Sequence, residues 1–310
     1  MTAAVTVSGL RKSFHGKVVL GGIDFEVPAG TTFALLGPNG AGKTTTVQIL
    51  STLIGFDGGE VRVAGHDPVR EPAAVRKNIG VTGQFSAIDD LLTGSENLSL
   101  MADLCHLPRA DGRGRVGELL EQFDLVEAAG KPASTFSGGM RRRLDLAMTL
   151  VGRPRLIFLD EPTSGLDPRS RRMMWRTVRD LVADGVTIFL TTQYLEEADQ
   201  LADRIAVLDG GRLVAEGTPE DLKRGVAGGH VRLKFAAAES LKAAAEAVGG
   251  VADAEQLALR VPSDGGVHAL RSLLARLDAA GIDVEDLSVH RPDLDDVFLT
   301  LTKTTAGAPK

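Results

Sequence analysis

The stretch TTFALLGPNGAGKTTTVQIL (31–50) constrains this chain more than any other. A short apolar strand, TTFALL, runs straight into GPNGAGKT at 37–44, which fits G-x-x-x-x-G-K-[ST]. A helical run from Lys43 to Leu53 follows. Between a strand and a helix, such a loop turns backbone N–H groups inward around phosphate oxygens, and the helix N-terminus adds its dipole. The phosphate-facing set is Gly37, Pro38, Asn39, Gly40, Ala41, Gly42, Lys43, Thr44 and Thr45. Lys43 is placed to reach the β- and γ-phosphates, and the Thr44 hydroxyl to ligate Mg²⁺.

A second acidic feature belongs with that loop. LIFLDEP (156–162) is a buried strand ending in Asp160, a candidate for holding Mg²⁺ directly or through water. Glu161 follows it, placed to orient or deprotonate an attacking water. From residue 155 strands and helices alternate, so an α/β fold is expected. Asp167–Pro168 opens one of those helices with a cap and a first-turn proline. RIAVLDGGRLVAEG reads as a hairpin turning at 209–211.

Composition narrows the remaining choices. The chain has 310 residues, long for one compact core, and a net charge of −6, which argues against a dedicated nucleic-acid partner. Its longest apolar runs fall far below the ~18 residues of a membrane span. The start, MTAAVTVSGL, lacks the basic and apolar regions of a secretory signal, so a cytosolic chain is expected. The single cysteine, Cys105, excludes an internal disulfide and reads as a buried, inert thiol. Near residue 225 the glycine-rich RGVAGGH marks a change in texture. We place a first domain over 1–222, mostly helical between about 85 and 150, and a small α+β domain over 223–310. Within the helical stretch, Thr93 and Glu96 have capping-box spacing. His290 with the aspartates at 293–296 reads as capping and surface charge before metal binding.

FSGGMRRRLDLAM (136–148) discriminates among nucleotide hydrolases. Ser137, Gly138 and Gly139 precede a helix whose apolar face is Leu144, Ala147, Met148 and Val151, and form a second anion-binding helix start. With the motifs above and in this order, residues 4–222 resemble the ATP-binding subunit of an ABC transporter, a P-loop NTPase fold with antiparallel β and helical subdomains. The resemblance implies ATP and Mg²⁺ as ligands, a head-to-tail dimer with a second copy in which Ser137 and Gly139 face the neighbour's γ-phosphate, and a separate membrane permease. It also implies a place on the inner face of the cell membrane. Phe14 matches the adenine-stacking aromatic, with a core phenylalanine as the rival reading. Gln84 in VTGQF matches the glutamine that contacts Mg²⁺ or water. Asp167 in SGLD matches the residue that reaches across the dimer, and it also suits a helix cap.

Two positions depart from the family pattern. Met140 stands where glutamine is usual, and Gln193 in TTQYLEEAD replaces the histidine that contacts the γ-phosphate and the attacking water. Glutamine donates and accepts hydrogen bonds but takes no proton at neutral pH. With Glu161 available as base, positioning is all that Gln193 must supply, and an active hydrolase is expected. The arginines at 141–143 sit in the first turn of a helix, where the dipole disfavours them. A solvated basic face and attraction to an acidic neighbour both fit. SGGM followed by RRRLDLA, TTQYLEEAD and the final HRPDLDDVFLTLT are similar to daunorubicin/doxorubicin-resistance ATP-binding subunits. That similarity implies an exporter of a drug-like hydrophobic compound. The alternatives are a soluble non-transport ABC ATPase and an ATP-gated regulatory module.

Overall fold

Alternating and continuous apolar runs in the first 220 residues build two sheets. In the computed structural model, residues 2–83, 87–225, 229–263, 266–290, 293–298 and 300 are described. The chain divides into two units, Met1–Pro219 and Glu220–Lys310. Strands β1 (Ala3–Phe14) and β2 (Lys17–Pro28) form a hairpin closed by His15 and Gly16, both at positive φ. That backbone matches the twist of a two-residue hairpin loop. Strand β3 (Thr32–Leu36) then leads into α1 (Lys43–Leu50), and β4 (Gly58–Val63) joins the hairpin in a sheet ordered β2-β1-β4.

Helix α1 stops three residues earlier than its sequence suggests. Thr52 takes a left-handed φ of 67°, and the N–H groups of Leu53 and Ile54 both turn back to the Gln48 carbonyl. These bonds satisfy the open end of the helix.

After α2 (Pro72–Asn78) and β5 (Ile79–Thr82) come three helices: α3 (Gly94–Leu104), α4 (Arg109–Gln122) and α5 (Gly138–Leu150). The capping box forms as the spacing predicts, with Thr93 and Glu96 each bonding the other's backbone N–H. Cys105 caps the far end of α3 and is exposed, which corrects the expectation of a buried thiol. It lies beyond the last turn that the apolar face of α3 buries.

The large sheet is completed by β6 (Leu156–Asp160), β7 (Thr187–Thr192), β8 (Arg204–Asp209) and β9 (Arg212–Gly217). Helices α6 (Pro168–Ala183) and α7 (Leu195–Leu201) connect them. The order is β5-β6-β7-β3-β8-β9, parallel except for the β8–β9 hairpin. Strands β3, β6 and β7 are buried at every residue, as expected where both faces of a parallel sheet are covered. Phe25, Phe33 and Phe189 stack at centroid spacings of 5.3 and 5.5 Å, packing the small sheet against the large one.

Helix α8 (Pro219–Arg224) lies at the boundary in sequence. The second unit runs β10 (His230–Lys234), α9 (Ala238–Val248), β11 (Val251–Asp253), β12 (Ala258–Pro262), α10 (Val267–Ala279) and β13 (Asp286–His290). Its order β11-β12-β10-β13, antiparallel throughout, is the ferredoxin-like βαββαβ arrangement. Val231, Leu233 and Leu259 bury one sheet face under Leu241, Ala244, Leu273 and Leu277 of the two helices. His290 bonds Asp296 at 3.1 Å, and Asp293 accepts from the Asp296 N–H at 2.9 Å. Among the described residues no group of three potential metal ligands forms.

One buried acid stands out in the first unit. Glu197 in the first turn of α7 has no solvent exposure, and one of its oxygens accepts from the Trp175 indole at 3.3 Å. Burial pushes its carboxyl above the ordinary value of 4.5. Below 4.5 both states hold the proton. As pH rises from there, the unfolded chain ionises while the folded one resists, so stability is lost through the window up to the raised folded value. Thermal unfolding of Glu197→Gln beside wild type should show no such loss in the variant, with the variant at least as stable at pH 8. A variant clearly less stable than wild type at pH 8 would contradict this.

Candidate active site

The phosphate loop leaves β3 at the level where β7 ends. The Gly37 N–H donates to the Thr192 carbonyl at 3.2 Å, and the Glu161 N–H donates to the Thr191 carbonyl at 3.0 Å. Parallel pairing of Leu36 with Thr192, and of Asp160 with Thr191, aligns these three exits. Loops at the carboxyl ends of adjacent parallel strands make the crevice in which such folds bind ligands.

Gly42 caps α1 at φ 112°, and a Cβ there would lie 2.7 Å from the Leu20 side chain, so only glycine fits. Lys43 is almost wholly buried. Its ammonium donates to the Gly37 carbonyl at 2.7 Å and the Pro38 carbonyl at 3.1 Å, and lies 3.6 Å from the Glu161 carboxylate. Burial pushes this ammonium below its ordinary value of 10.5, opposed by the charges of Glu161 and Asp160. Thr44, Asn39 and Gly40 face outward, while Ala41 is buried and Thr45 half-buried.

Asp160 ends β6 inside the protein and accepts from the Thr191 hydroxyl. Glu161 takes φ 48°, a left-handed backbone that costs a non-glycine residue roughly 1–2 kcal/mol. Surrounding bonds hold it there. The Ser164 hydroxyl donates to its carboxylate at 3.0 Å, and the Arg142 guanidinium donates to the carbonyls of Asp160 and Pro162 on either side. Neither Ser164 nor Arg142 is visible as a site residue from motif spacing. A polar turn after the acidic pair and a run of arginines elsewhere in the chain are the only signals the sequence offers.

Gln193 follows β7 and is half-buried, with no hydrogen bond among the described residues. The next residue, Tyr194, is fixed by its N–H to the Thr192 hydroxyl at 2.9 Å and by the Arg171 guanidinium 5.3 Å over its ring. Gln84 lies outside the described residues, as does part of the loop that carries it.

Ser137 caps α5, accepting from the Met140 N–H at 3.3 Å. A Cβ on Gly139 would stand 2.5 Å from the Ser170 hydroxyl of α6, so at this close approach of the two helix starts any side chain would have to displace that hydroxyl. Ser170 also bonds Asp167, which caps α6 by accepting from the N–H groups of Arg169 and Ser170. The Ser170 hydroxyl, then its N–H, hold the Asp167 carboxyl below the usual range. The structural half of the expectation for Asp167 is therefore met by a cap worth about 1 kcal/mol.

The three arginines are paired, so the basic face is not merely solvated. Arg141 meets Asp90, Arg142 meets Asp145 at 3.0 Å, and Arg143 meets Asp124 at 3.1 Å. A cavity of about 340 Å³ opens between this helix and the acidic loop, lined by Gly138, Arg141, Arg142, Glu161 and Ser164 among others. Phe14 is 41% exposed with the Lys12 ammonium 5.0 Å from its ring centre, so the rival reading of it as a core residue is overturned.

Comparison with known proteins follows the same lines. Residues 20–164 match the family described as ABC transporter, and residues 217–302 match the ATP-binding protein DrrA1-3-like C-terminal domain. The chain is 49% identical to the daunorubicin resistance ATP-binding protein DrrA3 of Streptomyces coeruleorubidus, over 96% of each chain. It is 47% identical to the daunorubicin/doxorubicin resistance ATP-binding protein DrrA of Streptomyces peucetius, over 97% of this chain and 93% of that one. A solved ATP-binding subunit of an ABC transporter superposes with a TM-score of 0.65 at 29% identity, covering 72% of this chain and 92% of its own. The chain belongs to the ABC transporter family, as an ATP-binding subunit of the daunorubicin-resistance type.

Proposed function

We propose that this chain hydrolyses ATP to drive export of a drug-like hydrophobic compound through a separate membrane permease. The observation that carries the hydrolytic part is the meeting of Lys43, Asp160 and Glu161 at the level ends of β3 and β6. The names of the curated relatives support the cargo class. No helix among the described residues is long and apolar enough to cross a membrane, which supports a translocation path supplied by another chain.

In this reading the loop at 37–45 wraps the phosphates with its N–H groups, and Lys43 turns its ammonium to the β- and γ-phosphates. The Thr44 hydroxyl and Asp160 carboxylate are hard oxygen donors of the kind Mg²⁺ takes, and Gln84 is the third candidate ligand. Mg²⁺ bound there would neutralise charge on the phosphate oxygens. Glu161 accepts the proton of the attacking water, and Gln193 orients that water with its amide. Phe14 offers an exposed ring for adenine. Ser137, Gly138 and Gly139 present the start of α5 to the γ-phosphate bound by a second copy, with Asp167 at the same interface. Closing and reopening of that dimer bias the permease between its two states, from the inner face of the membrane. The second domain, 223–310, carries no catalytic constellation among its described residues and serves as an accessory element.

Two outcomes test this. Glu161→Gln should bind ATP, accumulate as a dimer in Mg-ATP by light scattering, and release phosphate at least about a hundredfold more slowly than wild type. A monomeric variant at saturating nucleotide would count against the sandwich dimer. Cells making the chain with its permease should retain less daunorubicin than cells making Asp160→Asn with the same permease. Equal retention would refute the cargo class while leaving the ATPase intact.

A further inference from the structure

Arg142 occupies the second turn of α5, the helix that begins at Ser137, yet its side chain is spent on the far side of the hydrolytic loop. It is 15% exposed and faces Asp145, itself 4% exposed, at 3.0 Å. With that charge matched, the rest of the guanidinium serves backbone carbonyls. Nε donates to the Pro162 carbonyl at 2.8 Å and one terminal nitrogen to that of Asp160 at 3.3 Å, while the nitrogen that faces Asp145 also reaches the Gly83 carbonyl at 3.4 Å. Asp160 and Pro162 flank Glu161, so one planar group grips the peptides on both sides of the residue held at φ 48°. Gly83 follows β5, the neighbour of β6 in the sheet. The fork thus ties three segments together: the start of α5, the end of β5 and the loop that aims Glu161.

We propose that Arg142 is a positioning residue for ATP hydrolysis, fixing the backbone on both sides of Glu161 and linking it to the helix that carries Ser137, Gly138 and Gly139. The inference rests on the reading that Glu161 acts on the attacking water. It requires the fork, not the charge. Lysine would keep the pairing with Asp145 but presents a point charge and cannot span two carbonyls in one plane. A rigid link of this kind also gives the two nucleotide sites of a dimer a physical connection, because displacing the start of α5 displaces the flanks of Glu161.

The test is single-turnover hydrolysis of radiolabelled Mg-ATP by the full-length chain in excess over nucleotide, as wild type, Arg142→Lys, Glu161→Gln and the double variant. ATP affinity and melting temperature are measured on each. Arg142→Lys should hydrolyse at least about tenfold more slowly, with ATP affinity within about twofold and an unchanged melting temperature. In the Glu161→Gln background the same substitution should change the residual rate by less than about twofold, because the residue being positioned is gone. Wild-type turnover in Arg142→Lys overturns the proposal. So does an equal loss in both backgrounds, or a loss accompanied by weaker ATP binding and a lower melting temperature. Wild-type turnover in Glu161→Gln would instead remove the role of Glu161, and the proposal would fall with it.

Discussion

The site exists because β6, β7 and β3 end level. Parallel pairing sets Asp160 opposite Thr191 and Leu36 opposite Thr192. Two backbone bonds then carry the alignment beyond the sheet, from Gly37 to Thr192 and from Glu161 to Thr191. A one-residue slip in either pairing would reverse the faces of a strand buried on both sides and separate Lys43 from Glu161. The aromatic stack of Phe25, Phe33 and Phe189 holds that register from the side of the small sheet.

Around this rigid frame the polar interior is arranged for holding, not for charge alone. Helix α5 begins at Gly138, so the three arginines fall at its fourth to sixth residues and not in the first turn as expected, and each is offset by an aspartate in the first unit. The pairs tether α5 to the segments that carry Asp90 and Asp124, and to its own following turn at Asp145. Gly139 lets the first turn of α5 approach α6 with the Ser170 hydroxyl left on Asp167. The loop of Glu161 is strained and therefore depends on its neighbours, which is how pre-organised catalytic groups are commonly maintained.

The parts written in local sequence are legible from the residues alone. A glycine loop between strand and helix, an acidic strand end, and a capping box each depend on neighbouring residues only. Parallel order and the level of the strand ends emerge only from the pairing of strands far apart in the chain. What the sequence hides depends on distance in the chain: the partner of each arginine, the left-handed backbone of Glu161, and the hydroxyls of Thr191 and Ser164 on the acidic pair. Cys105 escapes the local reading because α3 ends one residue before it and leaves it outside the buried face. In the second unit the short strand β11 sits in a segment with little apolar pattern and is defined only by pairing with β12.

Gln193 follows directly on β7, the strand whose end takes the backbone bonds from Gly37 and Glu161, and in the proposed reading its amide orients the attacking water. Phosphate release by the purified chain, with its permease present, should be measured for wild type, Gln193→Ala and Gln193→His. If the amide positions the attacking water, wild type turns over and alanine loses about tenfold or more, equivalent to ~1.4 kcal/mol of barrier. A silent wild type revived by histidine would contradict that role and leave a chain that binds ATP as a gate.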